Sequence, residues 1–151
     1  MKNIKIYLDN CCYNRPFDDQ TQLRISLETQ AKLFIQSLVI KGNVDLIWSY
    51  ISDLENSENP YETRKVAISD FSKYAKRKVL QTSKIIYRAN KITAAGLSPA
   101  DALHLSCAIN AGVKYFISVD DKILKYKTDG INIINPIDFI QIWENRNEKN
   151  K

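Results

Sequence analysis

The stretch Ser98–Asp121, SPADALHLSCAINAGVKYFISVDD, contains a helix followed by a strand and decides the class of fold. Ser98 is a typical N-cap, Pro99 suits the first helical position, and Asp101 in the first turn interacts favourably with the helix dipole. A glycine then ends the helix. The apolar run Tyr115–Val119 predicts a buried strand, which two aspartates close.

Strands and helices alternate in the same way on both sides of this stretch. The predicted strands are Ile4–Leu8, Val44–Trp48, a segment around Val79 and Leu80, Tyr115–Val119 and Ile131–Ile134. Most are continuous apolar runs, which is typical of strands buried on both faces of a parallel sheet. The sequence therefore predicts an α/β fold, a three-layer α/β/α sandwich with a mainly parallel central sheet.

The helix starts are predicted from capping residues. They are expected at Asp18 or Asp19, Ser52, Asn59 with Pro60, Thr82 or Ser83, Ser98, and Asn135 with Pro136. The first long helix is predicted from apolar residues at helical spacing, namely Leu23, Leu27, Ala31, Phe34, Ile35 and Leu38. Glycines at positions 42, 96 and 112 are expected to end three of the helices.

The length and composition predict one globular domain. The chain has 151 residues, 44% hydrophobic and 26% charged, which suits a single core. The domain is predicted to span residues 1–144, with the last helix ending near Glu144 and the polar residues 145–151 fraying. No apolar run approaches the roughly 20 residues that span a bilayer, and no secretory signal is recognised, so a cytoplasmic location without membrane contact is expected.

The cysteines do not indicate a disulfide framework or a zinc site. Cys11, Cys12 and Cys107 are odd in number, they form no Cys-x-x-Cys pair, and the chain has one histidine. They are expected to be small buried side chains. His104 lies in an apolar helix segment, which favours a hydrogen-bonded structural histidine over a general base.

The net charge of +5 and the pI near 9.0 make the chain mildly basic. Basic residues are concentrated in the segments Lys73–Lys78 and Lys122–Lys127. This charge is compatible with a polyanionic partner, and it is equally compatible with solvated helix faces.

Acidic side chains follow three of the predicted strands. Asp9 directly follows the first strand, Asp120 follows the fourth, and Glu55 lies one or two helical turns after the second. Asp101 begins the helix that leads into the fourth strand. Because ligand sites in open parallel sheets lie outside the carboxyl ends of the strands, these four carboxylates are predicted to share one edge. Such a group of like charges favours a bound cation, and Mg²⁺ or Mn²⁺ prefers oxygen ligands.

Each of these carboxylates also has a structural explanation. Asp9 can accept N–H bonds in a turn, Glu55 can be an exposed helix residue, and Asp101 is a typical first-turn carboxylate. Asp120 and Asp121 can cap a short helix at residues 122–126. The prediction of a metal site therefore depends on their shared placement at strand ends.

The sequence resembles PIN-domain proteins over nearly its full length. The likeness lies in four segments, Tyr7–Asn10, Ser49–Asn56, Asp101–Leu105 and Tyr115–Asp121. The resemblance implies a PIN-like α/β/α sandwich and metal-dependent cleavage of RNA phosphodiesters, as in the VapC-like toxin ribonucleases.

The resemblance also implies roles for individual residues. Asp9, Glu55, Asp101 and Asp120 would be catalytic and would bind Mg²⁺ or Mn²⁺, with Asp121 as a further acid. It implies partners too, because many small members are toxins that an antitoxin protein inhibits, and such toxins often form homodimers.

Three further residues are expected beside these ligands. Asn10 and Ser118 would support a ligand or a bound water, and Arg15 is predicted to position the RNA backbone. The bulky turn after Asp9 departs from many family members and borders the predicted cleft.

Other functions are compatible with parts of this pattern. Phosphatases of the haloacid dehalogenase type need a second acid two residues after the first, where this chain has Cys11. The spacing also does not fit a phosphorylated receiver domain. The remaining alternative is a non-catalytic PIN-like module that binds RNA or a protein.

Overall fold

The computed structural model describes residues 3–149, with side chains up to residue 147. Within this part of the chain there are five strands and eight α-helices. In order they are β1 (Lys5–Leu8), α1 (Asn10–Asn14), a 3₁₀ helix (Arg15–Phe17), α2 (Leu23–Ile40), β2 (Asp45–Ser49), α3 (Tyr50–Ser57), α4 (Glu62–Ser72), β3 (Arg77–Val79), α5 (Ser83–Ala94), α6 (Pro99–Asn110), β4 (Tyr115–Ile117), α7 (Asp121–Leu124), β5 (Asn132–Ile134) and α8 (Pro136–Lys149). None of the described helices is long and apolar enough to cross a membrane.

The five strands form one parallel sheet in the order β3–β2–β1–β4–β5. At its centre, Ile6 of β1 pairs with Leu46 of β2 on one side and with Tyr115 of β4 on the other. The predicted parallel sheet is therefore confirmed, and all five predicted strands are present.

Helices cover both faces of the sheet. Tyr7 of β1 packs with α5 and α6 on one face, whereas its neighbours Ile6 and Leu8 pack with α2, α4 and α8 on the other. All three side chains are almost completely buried. Burial on both faces explains why the strands are continuous apolar runs, and it confirms the three-layer α/β/α sandwich.

The strand order of the sheet reverses direction between β1 and β4. After β1 the chain adds β2 and β3 on one side, and then returns to add β4 and β5 on the other. A crevice forms outside the carboxyl ends of two such strands because their connections leave in opposite directions. Asp9 directly follows β1, and Ser118 and Asp120 follow β4, so the sheet order places these residues at the crevice.

The predicted caps of α5 and α6 are confirmed. Thr82 accepts a hydrogen bond from the backbone N–H of Ile85, and Ser98 does the same for Asp101. Gly42 ends α2 with a φ of 78°, a conformation that costs glycine little.

Three predicted caps are wrong. Asp19 caps a turn at Thr21, and α2 begins after Gln22. The cap of α3 is Ser49, whose hydroxyl accepts from the N–H of Ser52. Asn59 forms a local turn by accepting from the N–H of Tyr61, which leaves the proline at 60 outside α4. In the first and third cases a local side-chain turn competes with the helix for the same capping group.

The predicted end of the last helix at Glu144 is too early. Helix α8 continues to Lys149, so residues 145–149 belong to it. The guanidinium of Arg146 lies 5.5 Å from the ring centroid of Trp143, and this contact over one turn extends the helix beyond its apolar part. Residues 150 and 151 of the predicted tail lie outside the described residues.

Candidate functional site

Asp9 is buried at the end of β1, where it caps α1. Its Oδ1 accepts from the backbone N–H of Asn10 at 2.9 Å, and its Oδ2 accepts from the Ser118 hydroxyl at 2.9 Å. Its own N–H donates to the Ile117 carbonyl of the neighbouring strand. Asn10 is predicted to support a ligand or a bound water; in the structure its Oδ1 accepts a hydrogen bond from Nδ2 of Asn14. Asp9 is only 4% exposed. Its carboxylate is held by hydrogen bonds from residues that follow two neighbouring strands, Asn10 after β1 and Ser118 after β4.

Ser118 connects the two strand ends at the crevice. It is fully buried, it donates to Asp9, and its Oγ accepts from the backbone N–H of Asp120 at 3.0 Å. The Asp120 carboxylate accepts from the N–H of Lys122 and so caps α7. The Ser118 hydroxyl therefore fixes the relative positions of Asp9 and Asp120, and its support of a metal ligand stays a prediction.

Asp101 shares the electrostatic environment of Asp9 and Asp120. Partial burial raises the pKa of the Asp101 carboxyl, and the negative charges of Asp9 and Asp120 raise it further. The hydroxyl of Ser98 and the neighbouring His104 act in the opposite direction. No lysine or arginine among the described residues forms a salt bridge with these three carboxylates. The three acids thus form a local concentration of uncompensated negative charge.

Glu55 is bound to the single histidine of the chain. The carboxylate oxygen Oε1 of Glu55 contacts Nε2 of His104, and the other ring nitrogen, Nδ1, contacts the Tyr7 hydroxyl. That hydroxyl also lies 2.6 Å from Oγ of Ser49 and 3.2 Å from Oγ of Ser52. A buried chain of polar groups therefore runs from the core of the sheet to the Glu55 carboxylate.

His104 is 1% exposed and is hydrogen-bonded through both ring nitrogens, as expected for a structural histidine. Burial disfavours its charged form, but the bond to Glu55 and the charges of Asp9 and Asp101 outweigh burial and raise the pKa of His104. Burial raises the pKa of Tyr7 well above its usual value, so the phenol stays neutral. The pair with Glu55 therefore favours the protonated form of the imidazole.

The donor chemistry at this edge suits a hard divalent cation. Asp9, Asp101 and Asp120 offer carboxylate oxygens, which Mg²⁺ and Mn²⁺ prefer. However, no group of three or more His, Cys, Asp or Glu side chains, among those that the structure describes, is close enough to hold a metal ion. One reason is that the carboxylate of Glu55 is bound to His104 and does not join the other three carboxylates. Metal ligation by the four predicted residues stays a prediction.

Two predicted site residues have other partners in the structure. Asp121 is exposed and forms a two-point ion pair with Arg24 of α2, with Nη2–Oδ1 and Nη1–Oδ2 distances of 2.8 and 3.3 Å. Arg24 lowers the pKa of Asp121 accordingly. Arg15 donates to the fully buried Glu28 through Nε and Nη2, and to Asp18 through Nη1. Its guanidinium therefore neutralises an internal carboxylate, and its predicted contact with the RNA backbone stays a prediction.

Cys11 lies closer to the acidic group than its sequence indicated. Its thiol is 3.4 Å from Oδ2 of Asp9 and 3.4 Å from Oγ of Ser118. The signal that could have found this contact is its position two residues after Asp9 in a helical turn. Cys12 and Cys107 are fully buried, as predicted for packing side chains.

A second feature is a groove of about 630 Å³ away from these carboxylates, between α2 and α4. Its walls are mostly apolar and include Tyr13, Leu33, Ile40 and Phe71. Lys32 lines the groove, is 5% exposed, and has no salt-bridge partner among the described residues; its Nζ lies 5.7 Å from the Tyr13 ring centroid. An ammonium in this position destabilises the fold.

Lys32→Met is expected to raise the free energy of unfolding by about 2 to 3 kcal/mol at pH 7, since one pKa unit corresponds to about 1.4 kcal/mol. Burial lowers the pKa of Lys32 from 10.5 to about 8. Below pH 8 the amine is charged in both the folded and the unfolded chain, so the penalty is complete; between pH 8 and 10.5 the folded chain loses the proton first and the penalty fades.

Urea unfolding of both proteins at pH 7 and pH 10 measures this effect, and the gain should be larger at pH 7. Lys73→Met is the control because Lys73 borders the same groove but is exposed and paired with Asp70. Equal stability of wild type and Lys32→Met at pH 7 would show that the ammonium is solvated.

The comparison with known proteins identifies the fold. No family model and no curated protein matches the sequence. Among solved structures, a chain of VapBC2 from Rickettsia felis, bound to a DNA fragment from its promoter, is similar with a TM-score of 0.56 and 13% identity, over 87% of this chain and 98% of that one. A chain of DNA-bound VapBC from Salmonella typhimurium has a TM-score of 0.53 and 14% identity, over 88% and 98% of the two chains.

At this level of identity the likeness concerns the fold alone. It covers most of this chain and nearly all of each similar chain. The chain therefore has the PIN-like α/β/α fold that is found in VapBC toxin–antitoxin complexes.

Proposed function

We propose that the protein is a metal-dependent endoribonuclease that hydrolyses RNA phosphodiester bonds. The observation that carries this proposal is that Asp9, Asp101 and Asp120, from three distant parts of the chain, repel one another electrostatically at the crevice of a parallel sheet and form no salt bridge with any described side chain, although they do not lie close enough together to hold a metal ion as they stand. Uncompensated carboxylates destabilise a fold, so their presence together supports a functional role. The PIN-like fold agrees with this chemistry by analogy.

The roles of the residues follow from their contacts. Asp9 is held rigidly by Ser118, which also orients Asp120, and Asp101 approaches from the first turn of α6. Glu55 would complete the set from α3, with His104 determining where its carboxylate lies. Bound Mg²⁺ or Mn²⁺ would supply an activated water and offset negative charge at the scissile phosphate.

The charge of the chain supports a polyanionic substrate. The net charge of +5 is carried partly by the segments Lys73–Lys78 and Lys122–Lys127, and the second of these directly follows Asp120 and Asp121. Basic side chains release counterions when they contact phosphates, so we expect RNA binding to weaken with added salt. The proposal does not depend on Arg15, whose guanidinium is paired with Glu28.

We further propose that an inhibitory protein partner controls this activity. The similar solved structures are chains of VapBC complexes. The resemblance of this sequence to PIN-domain toxins implies a nuclease that an antitoxin protein inhibits. On this proposal the chain is the toxin, and a homodimer is the expected assembly of the free protein.

The proposal is tested by incubating the purified chain with a mixed panel of structured and single-stranded RNAs in Mg²⁺, in Mn²⁺ or in chelator. We expect defined products with either metal and none in chelator. RNA binding without products under any divalent ion would instead identify a non-catalytic PIN-like binding module.

A further inference from the structure

A guanidinium contacts two exposed aromatic rings on the surface, one of which, Phe17, also lines the groove between α2 and α4. Cζ of Arg64 is 4.0 Å from the ring centroid of Tyr61 and 4.8 Å from that of Phe17. Tyr61 is 56% exposed and Phe17 is 39% exposed. We refer to Phe17, Tyr61 and Arg64 as the aromatic stack.

The aromatic stack is built on elements that begin at the crevice edge of the sheet. Phe17 ends the 3₁₀ helix that follows α1, and α1 is capped by Asp9. Tyr61 follows α3, which begins at the end of β2 and carries Glu55. The two segments are joined beside the stack by a hydrogen bond from Nδ2 of Asn59 to Oδ1 of Asn14.

Much of the surface of these groups is exposed to solvent. Arg64 has no salt bridge with any described carboxylate, and the outer parts of both rings remain in water. Exposed aromatic area contributes little to stability, whereas aromatic rings and guanidinium planes are the groups on which unstacked RNA bases pack. The positive charge of Arg64 additionally favours a phosphodiester over a neutral ligand.

We propose that the aromatic stack binds one unpaired base of a single-stranded RNA whose backbone passes the acidic group. The base stacks on the exposed face of Tyr61, and Arg64 holds the ring from behind and attracts the adjacent phosphate. This inference rests on the proposed ribonuclease function and names the substrate as RNA with an unpaired segment beside the cleaved bond. It also assigns the aromatic stack a role in positioning RNA, without a part in bond cleavage.

The test uses single-stranded RNA carrying 2-aminopurine, whose fluorescence falls when the base stacks on an aromatic ring. Binding is measured by anisotropy and stacking by quenching, in full-length protein with Asp101→Asn to prevent cleavage. Adding Tyr61→Ala should weaken binding about tenfold or more and abolish the quenching, within the range of base–aromatic stacking energies. Tyr61→Phe keeps the ring and should bind as tightly as the parent.

Tyr87→Ala is the matched control. Tyr87 is 64% exposed and also lies beside a cation, with Nζ of Lys91 4.6 Å from its ring centroid. It belongs to α5, which packs on the opposite face of the sheet from α4. Its removal should change neither affinity nor quenching.

The outcomes separate this inference from the proposed function. RNA binding and quenching that persist in Tyr61→Ala would overturn the role of the aromatic stack and leave the nuclease proposal intact. Loss of both signals in Tyr61→Ala, with no cleavage by wild type, would support the stack in a non-catalytic RNA-binding protein. Failure of folded wild type to bind any single-stranded RNA would overturn both.

Discussion

Asp101→Asn is expected to lower the rate of RNA cleavage by about 10²- to 10³-fold, the range seen when one charge-stabilising group is removed from an active site. The same change should raise thermal stability. Burial and the charges of Asp9 and Asp120 raise the pKa of Asp101, so its charged form is disfavoured in the folded chain at neutral pH. A neutral amide of the same shape removes that repulsion.

The two readouts together distinguish loss of a site from loss of the fold. Cleavage is measured with a labelled substrate RNA, and stability by thermal unfolding at pH 7. Asp138→Asn is the matched control, because Asp138 is an exposed carboxylate in the first turn of α8. Cleavage by Asp101→Asn within about threefold of wild type would remove Asp101 from the site, and a lower unfolding temperature would contradict the repulsion.

Arg15→Met is expected to lower the free energy of unfolding by about 3 to 5 kcal/mol, the cost of leaving one partner of a buried ion pair uncompensated. Glu28 is fully buried in α2, and Nη2 of Arg15 lies 2.7 Å from its Oε1. Arg24 and Asn135 also contact Glu28, so part of its charge stays paired after the change. Urea unfolding at pH 7 measures the difference.

The double variant Arg15→Met with Glu28→Met tests the cause. Replacing both partners removes the buried charge, so most of the lost stability should return. Asp121→Asn is the surface control: it breaks an exposed pair with Arg24, and such pairs contribute about 0 to 1 kcal/mol. A loss below about 1 kcal/mol for Arg15→Met would mean that Arg24 and Asn135 alone are enough to neutralise Glu28.

The sheet and its helical layers were predictable because their signals are local. β1 and β4 are apolar runs that are typical of central strands in a parallel sheet. Thr82 and Ser98 each cap the helix that begins at the next residue. Helix α2 shows the limit of this reasoning. Leu23 and Leu27 have the predicted helical spacing but are exposed, whereas Glu28 and Lys32 of the same helix are buried.

The buried charges of α2 could not be predicted because their surroundings come from other elements. Glu28 is paired with Arg15 from the 3₁₀ helix and with Asn135 before α8, both distant in sequence. For the same reason, the sequence predicts a substrate contact for Arg15 and gives no sign of its pairing with Glu28. A lone basic residue in a turn carries no sequence signal of an internal partner on another helix.

The candidate site was predictable in part. The position of Asp9 and Asp120 after neighbouring strands follows from the rule for open parallel sheets, and their link through Ser118 confirms that the two strand ends meet. The sequence does not predict the pairing of His104 with Glu55. This pairing depends on the packing of α6 against α3, and the spacing of residues along the chain does not determine that packing.

Mn²⁺ binding measured by calorimetry tests most directly the central claim, that carboxylates from separate strand ends form one metal site. We expect one Mn²⁺ per chain for wild type, and at least tenfold weaker binding for Asp9→Asn and for Asp120→Asn, with both variants folded. Asp138→Asn should bind as wild type does. Binding that is absent in wild type, or unchanged in both Asp9→Asn and Asp120→Asn, would contradict the account.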